Sequence, residues 1–243
     1  MIEVRDLSKS FDGKPVLQKI NLDIENEKTL VILGPSGQGK TVFIKTLARL
    51  IEPDSGTVLY NGQNIFLMSK KKFKEIQKQM AFVFQANALF DFLDVEDNLS
   101  LFLKMHTSYS QKEIAERVEE SARLVGLDHS VLSKFPEELS VGMGKRVAIA
   151  RALIVRPQVI FYDEPTSALD EGNVSKILDL ISALKKEVCA TSVIVTHDVG
   201  LVSKLADHVA LLKNSRITFF GRKEEITEPM LNDLYETGED NGQ

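Results

Sequence analysis

The chain has a single cysteine, Cys189, among 243 residues, and no apolar run near the ~20 residues needed to cross a bilayer. The first scarcity excludes an intrachain disulfide framework and fits a reducing compartment. Cys189 has no basic or metal-ligand neighbour in sequence, so it reads as a packing residue. The second excludes a channel. Positive charge is not in excess either: 30 Lys and Arg stand against 35 Asp and Glu, for a net charge of −5. Broad nucleic-acid binding normally needs a basic face, so no nucleic-acid partner is expected. The first residues, Met1-Ile2-Glu3-Val4-Arg5-Asp6, lack the basic and apolar blocks of a signal peptide. These absences predict a soluble, intracellular protein. What is present is ordinary: 43% hydrophobic and 27% charged residues match globular averages. The length fits one large domain, or a domain with a subdomain, able to form a core without disulfides or metals.

Short apolar runs bounded by turn residues recur along the chain. Val16 to Ile24 alternates apolar and polar residues, as a half-buried strand does, and Asp12-Gly13 before it suits a hairpin turn. Thr29 to Leu33 is continuously apolar and ends at Gly34, the pattern of a buried strand. Val42 to Leu50 then carries apolar residues at helical spacing, stopped by Pro53 and Gly56. From Ala86 to Pro157 strand patterns vanish. Ser110-Gln111-Lys112-Glu113 is a capping box ahead of a helical face of Ile114, Val118, Ala122 and Val125, with Gly126 as the stop. Ser140 to Val155 is a second helical run. Beyond it, Val159–Tyr162 and Ser192–Val195 read as buried strands separated by a helical stretch from Val174 to Val188. A terminal hairpin is expected around Lys213-Asn214-Ser215, and an acidic, frayed tail from Glu236. Strands alternating with helices imply a parallel sheet with right-handed crossovers.

Gly34-Pro35-Ser36-Gly37-Gln38-Gly39-Lys40-Thr41 fits G-x-x-x-x-G-K-[ST] and sits between an expected strand and an expected helix. The glycines let the backbone curl so that successive N–H groups face phosphate oxygens, and the following helix adds its positive end. Lys40 would reach the β- and γ-phosphates, and Thr41 would hold Mg²⁺ through its hydroxyl. The strand Val159 to Tyr162 runs into Asp163-Glu164. Alone, such a pair is usually a solvated turn. Beside a phosphate loop, Asp163 suits a Mg²⁺ ligand and Glu164 a group that orients or deprotonates water. His197, at the end of another buried strand, lies on the expected ligand side of an open sheet. His106, His129 and His208 have no such context.

With these residues in hand, the chain resembles the nucleotide-binding subunit of an ATP-binding cassette (ABC) transporter over essentially its whole length. Five further elements stand in that family's order. Gln85 matches the glutamine that senses Mg²⁺ and the attacking water. Leu139-Ser140-Val141-Gly142-Met143 matches the signature Leu-Ser-Gly-Gly-Gln, with Val141 and Met143 as departures. Ser167-Ala168-Leu169-Asp170 matches the loop that crosses the dimer interface. His197 matches the histidine at the γ-phosphate, and Phe11 the aromatic that stacks on adenine. The resemblance implies an α/β fold: a P-loop NTPase core with a mostly parallel sheet, an N-terminal antiparallel β subdomain and an inserted α-helical subdomain. Core and β subdomain would take residues 1–85 and 158–220, the helical subdomain 86–157, and a short C-terminal segment and tail 221–243. It implies an ATPase with Glu164, His197 and Gln85 as catalytic residues and Mg²⁺ held by Thr41, Gln85 and Asp163. ATP would be bound by Phe11, Gly34, Pro35, Ser36, Gly37, Gln38, Gly39, Lys40 and Thr41 and, across the dimer, by Ser140, Gly142 and Asp170.

The implied partners are a second ABC ATPase subunit, forming a homodimer, and membrane permease subunits docking near Ala88-Leu89-Phe90-Asp91-Phe92-Leu93. The location implied is peripheral, on the cytoplasmic side of the inner membrane. Ala88-Leu89-Phe90, Val95-x-Asp97-Asn98 and Leu-Ser-x-Gly-Met-x-Lys-Arg resemble ATPases of envelope phospholipid transporters that work with mammalian-cell-entry (MCE) proteins, which adds an MCE-type substrate-binding partner. An amino-acid or other small-solute importer is the alternative within the family, and a soluble ATP-dependent switch without a permease is the alternative outside transport.

Overall fold

The computed structural model describes residues 1–236. The Asp12-Gly13 turn forms as expected, with φ of 49° and 75°, left-handed at both central positions as a tight hairpin between twisted strands demands. It joins β1 (Ile2–Phe11) to β2 (Lys14–Ile24) in antiparallel register, Phe11 facing Lys14. β3 (Thr29–Leu33) is buried along its whole length, which is why its sequence does not alternate. α1 (Lys40–Leu47) starts earlier and stops sooner than the apolar spacing predicts. The stop is a Schellman closure: Arg49 turns left-handed at φ 54°, its N–H donates to Thr46 O, and Leu50 N–H donates to Lys45 O. β4 (Ser55–Tyr60) and β5 (Gln63–Asn64) complete an antiparallel sheet in the order β2-β1-β4-β5.

α2 (Lys70–Gln77) and β6 (Met80–Val83) follow. Residues 86–157 hold α3 (Val95–His106), α4 (Gln111–Leu124), α5 (Val141–Leu153) and two 3₁₀ turns, with no strand among them. The Ser110–Glu113 capping box closes reciprocally, and Gly126, at φ 67°, terminates α4. α3 has no counterpart in the sequence expectations. β7 (Val159–Asp163), α6 (Glu171–Val188) and β8 (Thr191–Thr196) then alternate as the periodicity implies. α6 ends on Cys189, left-handed at φ 51° and exposed, so the cysteine is a surface helix cap and not a packing residue. α7 (Val199–Leu205), β9 (His208–Lys213), β10 (Arg216–Arg222) and α8 (Glu228–Tyr235) close the described chain, β9 and β10 forming the expected hairpin. Of the acidic tail expected from Glu236, residues 237–243 lie outside the described residues.

Two compact units emerge: Met1–Met68 with the chain from Val195 onward, and Ser69–Ile194. In the first, β3 runs parallel to β9, with β10 antiparallel at the edge, and Gly34 N–H donates to Thr196 O. Leu7, Leu17, Ile32, Leu33, Phe43 and Leu47 are almost fully buried there. In the second, β6 runs parallel to β7, and Phe161, Leu99, Val125 and Val147 are buried in its core. Each such side chain contributes about 1.5–3 kcal/mol on removal from water.

Candidate functional site

In the first unit, the loop from Gly34 to Gly39 leads from the end of β3 into α1. Gly37 and Gly39 have φ of 80° and 97°, and Gly39 caps α1 without a side-chain bond to its first N–H groups. A Cβ on Gly39 would lie 2.6 Å from Val16 O, so only glycine fits where the loop passes β2. Lys40 is buried, and its ammonium donates to the carbonyls of Gly34 at 2.7 Å and Pro35 at 2.9 Å. Gln38 Oε1 accepts from Asn214 N–H at 2.7 Å, fastening the loop to the β9–β10 turn. Pro35 and Thr41 are half-buried, while Ser36 and Gly37 are exposed. His197 follows β8 with an exposed side chain, and its main-chain carbonyl accepts from the Tyr235 hydroxyl at 2.8 Å. Phe11 ends β1 with its ring 44% exposed and Lys9 Nζ 5.3 Å from the ring centroid. An exposed ring at a strand end is available for stacking, as a core phenylalanine would not be.

In the second unit, β7 delivers Asp163 and Glu164, both buried, at its C-terminal end. Glu164 adopts φ 47°, a left-handed conformation unusual for a glutamate and of the kind that gathers at functional positions. Gln85 lies exposed in the turn after β6. Lys145 of α5, 2% exposed, donates to Gln85 O at 2.5 Å and to Ser167 Oγ at 3.4 Å. Burial lowers the pKa of Lys145, and the charges of Asp163 and Glu164 oppose that shift. Arg151, one heptad along α5 from Gly144, donates to Ala88 O at 2.6 Å and Asn87 O at 2.8 Å. A Cβ on Gly144 would stand 2.9 Å from Asn87 Nδ2. One face of α5 therefore grips the loop after Gln85, whose Asn87 and Ala88 are both left-handed.

Ser140 caps α5, its Oγ accepting from Met143 N–H at 3.3 Å. The position of a Cβ on Gly142 lies 3.6 Å from Asn173 Oδ1, and Asn173 donates from its own side chain to Asp170. Gly142 thus lies beside Asn173, whose N–H holds the carboxyl of Asp170, the cap of α6, below its ordinary pKa. Val141 is 54% exposed, so its departure from glycine adds an apolar side chain on the surface and leaves the helix start intact.

Lys145, Arg151 and Asn98 are the residues whose roles sequence reasoning missed. Asn98 is 1% exposed, accepts from Phe90 N–H, and donates to the carbonyls of Phe90, Leu93 and Asp94. It holds the segment Ala88–Leu93 so that Phe90 and Phe92 remain exposed while Leu89 and Leu93 are half-buried. The available signal was polar or charged residues interrupting buried helical faces, at Asn98 in α3 and at Lys145 in α5.

The family model described as ABC transporter matches residues 17–167. The probable ribonucleotide transport ATP-binding protein mkl of Mycobacterium leprae is 39% identical over 225 residues, 93% of this chain and 65% of the relative. The chain spans less than two thirds of that relative's length. The intermembrane phospholipid transport system ATP-binding protein MlaF of Haemophilus influenzae is 32% identical over 228 residues, 94% of this chain and 86% of MlaF. The sulfate/thiosulfate import ATP-binding protein CysA of Pectobacterium atrosepticum is 36% identical over 93% of this chain and 67% of CysA. Among solved structures, the dimeric post-hydrolysis state of the ATP-binding cassette MJ0796 bound to ADP and Pi superposes with a TM-score of 0.83 at 28% identity, covering 92% of this chain and 99% of that one. With the phosphate loop, the strand-end carboxylate pair and the signature helix in the family's order, the chain belongs to the ABC transporter family, as one of its ATP-binding cassettes.

Proposed function

We propose that this chain hydrolyses ATP to drive an ABC transporter that moves phospholipid in the cell envelope. The observation that carries the cargo is the likeness to MlaF, which runs nearly the full length of both chains. The phosphate loop, Gly34 to Thr41, binds the nucleotide phosphates through its N–H groups and the Lys40 ammonium, and Phe11 stacks on the base. Thr41 hydroxyl, Gln85 amide oxygen and Asp163 carboxylate are hard oxygen donors of the kind that suit Mg²⁺, and the burial of Asp163 favours a carboxylate facing a cation over one facing water. These residues would hold the ion, which would supply positive charge against that of the phosphates. Glu164 takes the proton of the attacking water, and Gln85 and His197 position that water and the γ-phosphate. Losing a group of this kind costs ~10²–10³ in rate.

Two copies pair, each signature segment at Ser140 and Gly142 capping the γ-phosphate bound by its partner, with Asp170 at the interface. ATP then favours the closed dimer and hydrolysis releases it. The exposed rings of Phe90 and Phe92, on a segment whose main chain Asn98 holds at Phe90 and Leu93, form the docking face for a permease. An MCE-type substrate-binding protein completes the assembly, and the cassette sits at the cytoplasmic face of the inner membrane. The likeness to CysA, at slightly higher identity, favours small-solute import as the second reading.

Affinity purification from the source membrane, with mass spectrometry of co-purifying chains, tests the cargo. A multi-span permease with an MCE-domain subunit is the expected result. A permease with a solute-binding protein would select the importer, and absence of any membrane partner would select a soluble ATP switch.

A further inference from the structure

The Lys145 ammonium stands where two loops of the second unit meet. It is almost fully buried, 2.5 Å from the main-chain oxygen of Gln85 and 3.4 Å from the hydroxyl of Ser167. The negative charges of Asp163 and Glu164 favour its charged form. A buried cation is costly unless it is hydrogen-bonded and its charge is offset; here the loop after β6 supplies Gln85 O, and the segment after β7 supplies Ser167 Oγ and the negative charges of Asp163 and Glu164. Its helix also carries the signature segment: Ser140 caps the same α5 that places Lys145 one turn on.

We infer that Lys145 is a positioning residue, which fixes the Gln85 loop to the Ser167 loop and to the Asp163-Glu164 strand end, so that one buried charge sets the geometry of the hydrolytic groups. A rigid helix then links the Ser140 cap to that cation, and displacement of α5 moves the Gln85 carbonyl directly. Arg151 serves the same loop further along, through the carbonyls of Asn87 and Ala88, but has no bond to Ser167 among those described. The two cations therefore divide the work: Arg151 holds the loop's shape, and Lys145 joins it to the Ser167 loop that follows the carboxylates.

This inference rests on the hydrolytic reading, and the experiment keeps the two apart. Steady-state ATP hydrolysis and hydrogen–deuterium exchange are measured on the full chain and on Lys145→Met and Lys145→Arg. Lys145→Met is expected to lower kcat about 10- to 100-fold, the loss that follows small misplacement of reacting groups. KM for ATP should stay within about twofold, because the phosphate loop is untouched. Exchange should quicken together around residues 85–88 and 165–168. Lys145→Arg, which keeps charge and reach, should recover most of kcat and the protection. Unchanged kcat in Lys145→Met, a raised KM with kcat kept, or no recovery in Lys145→Arg would each overturn the role. If Lys145→Met does not fold, Lys145→Gln replaces it; a kcat and exchange pattern equal to those of the unaltered chain would count against the role. An unaltered chain that hydrolyses no ATP would remove the hydrolytic reading instead. The exchange comparison would then still decide, unchanged protection of both segments overturning the role of Lys145.

Discussion

Gly34 and Leu212 approach so closely that a Cβ on Gly34 would lie 2.4 Å from the main-chain oxygen of Leu212. Leu212 belongs to β9, hydrogen-bonded to β10 on one side and to β3 on the other, so neither backbone can yield cheaply. Gly34→Ala should therefore destabilise the protein by about 1–3 kcal/mol, the usual cost of overpacking. It should also displace the carbonyl that the Lys40 ammonium grips. Urea denaturation and nucleotide titration of the same variant check both consequences.

Lys40 and Glu164 should separate binding from chemistry. Lys40→Ala is expected to weaken ATP binding itself, read by calorimetric titration. Glu164→Gln should bind ATP as before, lose hydrolysis by ~10²-fold or more, and accumulate an ATP-bound dimer on size-exclusion chromatography. Rapid turnover in Glu164→Gln would remove that residue from its role.

Arg151→Met should loosen the loop after Gln85 without touching any group proposed to meet ATP. Two charge-assisted hydrogen bonds, to Asn87 O and Ala88 O, would be lost. A cost of about 2 kcal/mol is expected by urea denaturation. Accelerated amide exchange should be centred on residues 86–90.

Acid stability should depend on helix-capping carboxylates. Glu113, Asp128 and Asp170 are held below their ordinary pKa, each first by a hydrogen bond from the helix start that it caps. A depressed folded-state pKa means that the unfolded chain binds protons more readily. The stabilisation is therefore complete above the unfolded values of about 4 and is lost as pH falls through the lower folded values. Glu113→Gln keeps a capping-box side chain but removes the titration. Its melting temperature should fall less steeply below pH ~4 than that of the unaltered chain, as followed by circular dichroism.

Features whose physics is local are legible in adjacent residues. Asp12-Gly13 specifies a left-handed turn because few other residue pairs tolerate positive φ twice. Ser110 and Glu113 satisfy each other's backbone within four residues. The run from Thr29 to Leu33 can be stable only when buried on both faces, and the glycines of residues 34–39 announce a backbone that must pass close to something. Tertiary structure alone decided where long-range partners meet. Arg49 ends α1 in a conformation that its side chain does not favour. α3 is not legible in the sequence because Asn98, a polar residue on its buried face, is satisfied by the loop before it and not by the helical pattern. Lys145 is 60 positions from Gln85 in the chain, and nothing in its neighbours' periodicity shows which carbonyl its ammonium will find. Local chemistry is written in adjacent residues, whereas a buried charge acquires its meaning only when packing has chosen its partners.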